Sequence, residues 1–80
     1  MLNTIFRLPN VLEQSGLSRS SVYLRISQGL WTKPISLGGR AVGWPANEVN
    51  VLIAARIAGK NDDEVRDLVL NLEAKRKLVL

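Results

Sequence analysis

The sequence predicts a mainly α-helical domain with one small β-hairpin. Three observations carry that reading: apolar residues recur at helical spacing in four separate stretches, a Gly-rich segment between the second and third switches to strand-like alternation, and glycines punctuate the helical stretches. Eighty residues suit one such domain with a modest core, and are too few for a deep cavity walled by separate layers.

The first helix is expected in RLPNVLEQSG. Pro9 suits a first turn, where its missing N–H is not needed, Leu8, Val11 and Leu12 share one side, and Gly16 ends the helix. A second helix follows at once in LSRSSVYLRISQG, with Ser18 as N-cap, Gly29 as stop, and Leu17, Val22 and Ile26 as the buried set. Two short helices joined by so tight a turn form a helix-turn-helix.

The hairpin is expected in LWTKPISLGGRAVGWP, with Gly38–Gly39 as its two-residue loop. In that register Leu37 faces Arg40 and Ile35 faces Val42. Ile35, Val42 and Trp44 then share the face that packs on the domain, and Arg40 projects from the tip.

Helical period returns in ANEVNVLIAARIAG, where Val49, Leu52, Ile53 and Ile57 form one stripe before Gly59. A last helix is signalled by NDDEVRDLVLNLEAKRKLVL. Asn61 or Asp62 caps it, Asp63 and Glu64 crowd its start, and Lys75, Arg76 and Lys77 its end, which matches the helix dipole. Val65, Leu68, Val69 and Leu72 make its apolar face, with Leu70 off that face. A helix-turn-helix followed by a hairpin is a winged helix-turn-helix. Residues 1–60 are expected to form it, and residues 61–80 an additional C-terminal helix that packs on the domain or serves self-association.

Composition narrows the function. With no Cys and no His, thiol nucleophiles, imidazole bases and the usual soft metal ligands are absent, so a binding module is expected rather than an enzyme, with no catalytic residues, cofactor or metal. Asp62, Asp63 and Glu64 resemble an acid cluster until their place at a helix start is seen; there they act as caps. Gly38–Gly39 lacks the Lys and Ser/Thr of a phosphate-binding loop. No apolar run approaches the roughly twenty residues of a membrane span, and MLNTIFRLPN does not read as a signal peptide, so a cytoplasmic protein is expected.

Charge is uneven along the chain. Residues 1–60 hold seven Lys and Arg against Glu13 and Glu48, a net +5, whereas residues 61–80 sum to −1. Any polyanion is therefore expected on the first three quarters, although an excess of this size is also common on solvated surfaces; the winged helix-turn-helix order is what points to double-stranded DNA as the partner. In a DNA-reading second helix, one face buries apolar residues and the other offers donors; Ser20, Tyr23, Leu24 and Ser27 point away from Val22 and Ile26.

Arg19 stands in the first turn, where it can reach guanine O6 and N7 or a phosphate, and Ser18, Ser20 and Ser21 suit phosphates at a helix N-terminus. Tyr23 either meets DNA or covers the core edge. Arg25 either meets a phosphate or pairs with an acid such as Glu13. Lys33 and Arg40 complete the candidate DNA-binding set, Arg40 from the hairpin tip. Trp31 and Trp44 read as core, since their neighbours are apolar.

The stretch from LPNVLEQSGLSRSSVY through PISLGGRAVGW to the EV of ANEV resembles the AlpA family of phage-derived transcriptional regulators, over residues 8 to about 58. Its three blocks follow the family's order, roughly L-x-x-V-x-x-x-(S/T)-G-L-S-(R/K)-(S/T)-(S/T)-(I/V)-Y, P-x-x-L-G-x-R-(A/S)-V-x-W and E-V.

The resemblance implies a winged helix shared with phage excisionases and MerR-type regulators. It further implies a prophage or genomic-island protein that binds DNA near an integrase promoter or attachment site, promoting integrase expression or directly assisting excision. The family's recognition-helix start falls on Ser18, Arg19, Ser20 and Ser21, its aromatic on Tyr23 and its wing arginine on Arg40. The commoner family order places the cation before the apolar residue where this chain has Leu24 and Arg25. Activator, repressor and excisionase roles stay open, as do self-association on DNA and contact with the integrase. A more distant alternative is a protein-interaction module using the last helix.

Overall fold

The computed structural model describes residues 4–78, so the ends of the two expected units, 1–3 and 79–80, lie outside the described residues. In chain order come β1 (Ile5–Phe6), α1 (Leu8–Ser15), α2 (Arg19–Ser27), β2 (Ile35–Gly38), β3 (Ala41–Pro45), α3 (Ala46–Ile57) and α4 (Asp62–Lys75), which runs into a 3₁₀ turn at Arg76–Leu78. This is a winged helix-turn-helix with an additional C-terminal helix.

The helix-turn-helix forms where its punctuation places it. Pro9 lies in the first turn of α1, and Gly16 closes that helix at φ 72°, its N–H donating to the Leu12 carbonyl at 2.9 Å. Ser18 caps α2 by accepting from the Ser21 amide at 3.2 Å. Val11 and Val22, one from each helix, are fully buried in the same cluster, with Leu8, Leu12, Leu17 and Ile26 packed against it.

The wing departs from the expected register. Ile35 pairs with Gly43, Ser36 with Val42 and Gly38 with Ala41, with an irregularity between Ser36 and Gly38. The turn is therefore Gly39–Arg40, and Leu37 is the extra residue of the bulge. Because opposite residues share a sheet face, Val42 and Trp44 face the core while Ile35 falls on the other face with Gly43. The glycine pair signalled a loop, but positive φ at both Gly38 (107°) and Gly39 (55°) permits a bulged turn one residue later.

The two-residue strand β1 was not foreseen. It pairs antiparallel with β3, Ile5 with Pro45 and Phe6 with Trp44, giving the sheet order β1-β3-β2. Gly43 makes room for it: a Cβ there would lie 2.5 Å from Ile5 Cγ2 and 3.0 Å from the Phe6 carbonyl oxygen.

Helix α3 starts directly after the wing, its Ala46 amide donating to the Thr4 carbonyl at 2.7 Å. Its buried residues are Ala46, Glu48, Val49, Leu52 and Ala55, whereas Ile57 is 82% exposed. The expected stripe through Ile57 is thus corrected. At about 100° per residue Ile57 sits on the far side of the helix from the line Glu48, Leu52, Ala55.

In α4 the predicted face is used: Val65, Val69 and Leu72 are buried, Leu68 is half-buried, and Leu70 is exposed. Asn61 and Glu64 cap its start reciprocally, at 2.9 and 3.1 Å. Val65, Val69 and Leu72 share one core cluster with Val11, Val22 and Trp44, so the face of α4 completes the core of the winged helix. No described helix is long and apolar enough to cross a membrane.

Candidate nucleic-acid interface

The start of α2 gathers three hydroxyls and a cation. Ser18 Oγ donates to Ser21 Oγ at 2.9 Å and lies 3.2 Å from Ser20 Oγ, beside the first-turn amides that a helix N-terminus leaves without helical partners. The Arg19 guanidinium lies over the Tyr23 ring, 5.8 Å from its centroid. At i and i+4 the two side chains stack along one exposed face.

Tyr23 then links α2 to the wing. Its ring meets Trp44 edge-on, centroids 6.4 Å apart at 67°, while 39% of the residue stays exposed. It therefore covers the core edge and still presents surface to solvent. Trp44 is fully buried, and its indole N–H donates to the Thr32 carbonyl at 2.9 Å. Arg19, Tyr23 and Trp44 form one contact chain from the helix start to the base of the wing. Arg40 lies four residues from Trp44 in sequence, about 13 Å at strand rise. Arg40 is exposed and makes no ion pair or side-chain hydrogen bond among the described residues.

The other candidates are placed differently. Arg25 is half-buried and makes no ion pair with Glu13 or any other described acid. It borders a shallow depression with Ser21, Leu24, Gln28 and Arg56. Leu24 is 58% exposed, as its outward position predicts. Lys33 is exposed, but its main chain is tied to α4: its N–H donates to Glu73 Oε2 at 2.9 Å and its carbonyl accepts from Arg76 Nη2 at 2.6 Å. The structure thus joins Arg19, Tyr23 and the wing, and sets Lys33 against α4.

Sequence reasoning missed the group that fixes the wing's base. Glu48, in the first turn of α3, receives both Nε and Nη2 of Arg76, at 2.8 and 2.6 Å. Its side chain is 3% exposed and that of Arg76 23%. The hydrogen-bonded Glu48 carboxylate raises the Arg76 pKa above an arginine's ordinary value, against the opposing effect of burial, and the negative charges of Glu48 and Glu73 add to the rise. One signal was available: at about 100° per residue Arg76 falls on the apolar side of the last helical stretch, between Val65 and Val69. Reading the basic end of that helix only as a dipole match hid it.

Against known proteins, the chain is 44% identical over 54 residues to the uncharacterized protein ORF88 of Enterobacteria phage P4; the match covers 68% of this chain and 61% of that protein. The chain therefore spans about three-fifths of that relative's length. No solved structure matches. The sequence model described as prophage CP4-57 regulatory protein (AlpA) matches residues 4–57, the segment that holds β1, the helix-turn-helix, the wing and α3 but not α4. Over that matched segment, more than half of its length, the chain belongs to the AlpA family of phage regulatory proteins.

Proposed function

We propose that this chain is a sequence-specific DNA-binding regulator of a prophage or genomic island, controlling integrase expression and excision of the element. The observation that carries this reading is the contact chain Arg19, Tyr23, Trp44, which couples the cationic start of α2 to the wing. A protein that must engage a groove and the adjacent backbone together needs such coupling.

In this reading α2 lies in the major groove. Arg19 reads a guanine edge, Ser18, Ser20 and Ser21 take a phosphate, and exposed Leu24 meets a thymine methyl. Tyr23 stacks under Arg19 and holds it forward. Arg25 and Lys33 neutralise flanking phosphates, and Arg40 reaches a phosphate or the minor groove beyond. The net +5 of residues 1–60 supplies the sequence-independent part of the affinity. The cytoplasm, where the element's DNA lies, is the compartment this reading implies.

A gel shift on the element's integrase promoter and attachment region, across a series of salt concentrations, tests the proposal. Binding that weakens linearly in log salt is expected; no retardation even at low salt refutes it. Footprint length then reports self-association on DNA. An excision assay with integrase supplied from an unrelated promoter separates control of expression from a direct architectural role or integrase contact.

A further inference from the structure

The wing is joined to the rest of the chain at two roots, the Gln28–Pro34 connection before β2 and the step from β3 into α3. One guanidinium touches both. Arg76 Nη2 donates to the Lys33 carbonyl at 2.6 Å, and Nη2 and Nε donate to the two Glu48 oxygens at 2.6 and 2.8 Å. Glu73, on the preceding turn, accepts the Lys33 N–H at 2.9 Å, so both main-chain groups of that one residue are held by side chains from α4 and the 3₁₀ turn that ends it.

At its other end α4 grips the recognition helix. Arg66 Nε donates to the Gln28 carbonyl at 3.0 Å, at the C-cap of α2, while its Nη1 pairs with Asp63 at 3.2 Å. Arg66 and Glu73 share one side of α4, and Arg76 opens the 3₁₀ turn that follows it. Together their hydrogen bonds reach from the end of α2 to both roots of the wing.

We propose that α4 is a splint that fixes the wing's orientation relative to the recognition helix, with Arg66, Glu73 and Arg76 acting on DNA binding as positioning residues that do not touch DNA. This rests on the DNA-binding reading above, yet concerns a helix outside the residues that match the family. Leverage gives such a device its effect, in addition to the anchoring of β3 by β1 and Trp44. The wing tip stands about 13 Å along β3 from Trp44, so a small rotation at the root becomes a displacement of ångströms at Arg40. A phosphate contact does not survive a misplacement of that size.

The test uses the full chain and a duplex recovered by the wild-type protein from a random-sequence pool. Arg76→Lys keeps a cation by Glu48 but not the planar fork that spans Glu48 and Lys33. Glu73→Ala removes the acceptor for the Lys33 amide, and Glu73→Gln retains one. Arg76→Lys and Glu73→Ala are expected to weaken binding about threefold or more. Both should lower the salt slope toward that of Arg40→Ala, while Glu73→Gln binds as wild type does.

With Arg40→Ala already present, Arg76→Lys should add no further loss, because it acts through the contact already removed. Multiplying losses, or a lowered thermal midpoint with unchanged affinity and slope, overturns the splint. If the wild-type chain recovers no duplex at low salt, the DNA-binding reading fails, and amide exchange decides the splint separately. Arg76→Lys is expected to speed exchange across residues 35–44 more than at Val22 and Val49; equal acceleration at all of them overturns it.

Discussion

Two arginines carry different tasks in the proposed interface, and single substitutions separate them. Arg40 stands on a turn with no partner among the described residues, so Arg40→Ala should weaken all duplexes alike and reduce the slope of log affinity against log salt by about one. Arg19 is steadied by the Tyr23 ring, and Arg19→Ala should cost about 1–3 kcal/mol on the preferred sequence and less on a scrambled one. Titrating both variants on both duplexes reads the two patterns; equal losses for Arg19→Ala would make it a phosphate contact.

Arg76 behaves differently again. Its pKa is raised in the folded state, so the stability it confers is complete below the unfolded arginine's value and is lost only as pH rises through the still higher folded one. The gap in thermal midpoint between wild type and Arg76→Ala should therefore not shrink between about pH 7 and 10 through loss of the arginine's charge. That gap is set by the nearly buried carboxylate left behind, about 3 kcal/mol for a pair broken by removing one partner.

At the scale of elements, the N-terminus of α2 serves both folding and binding, and one substitution divides the two. Aspartate caps a helix as well as serine does, so Ser18→Asp should keep the thermal midpoint near wild type while repelling phosphate and weakening DNA binding. Ser18→Ala should instead cost about 1 kcal/mol of stability. A midpoint and an affinity measured on each variant distinguish the roles.

The wing makes a second element-scale prediction. Gly43→Ala puts a methyl against Ile5 and the Phe6 carbonyl, which should displace β1 and destabilise the protein by about 1–3 kcal/mol in chemical denaturation. These elements also mark what the sequence disclosed. Glycine, proline and serine act locally, so Pro9, Gly16, Ser18 and Gly29 located both helices of the helix-turn-helix. Strand register is a pairing between distant residues, and a bulge at Leu37 moved Ile35 to the opposite face without altering the composition of the stretch. Strand β1 has only two residues, too few for alternation to announce, and its place depends on space left by Gly43, thirty-seven positions after Phe6.

At the scale of the molecule, the question is whether residues 1–60 are a domain that α4 merely joins. Residues 4–57 match the family, which invites a truncation after Lys60 as a minimal binding domain. The packing argues otherwise. Val65, Val69 and Leu72 lie in one cluster with Val11, Val22, Trp44, Val49 and Leu52, and burying each such side chain contributes about 1.5–3 kcal/mol. A truncated chain would lose three of these and expose the faces they cover, along with Glu48, whose guanidinium partner lies beyond the cut. Natural domains of this size are stable by only about 5–15 kcal/mol. The expected outcome, followed by circular dichroism, is that the full chain melts cooperatively and the truncated chain does not. A truncated chain that still melts cooperatively near the wild-type midpoint would mean that residues 1–60 close their own core. In that case α4 would be free to act on the wing as an accessory rather than as part of the fold.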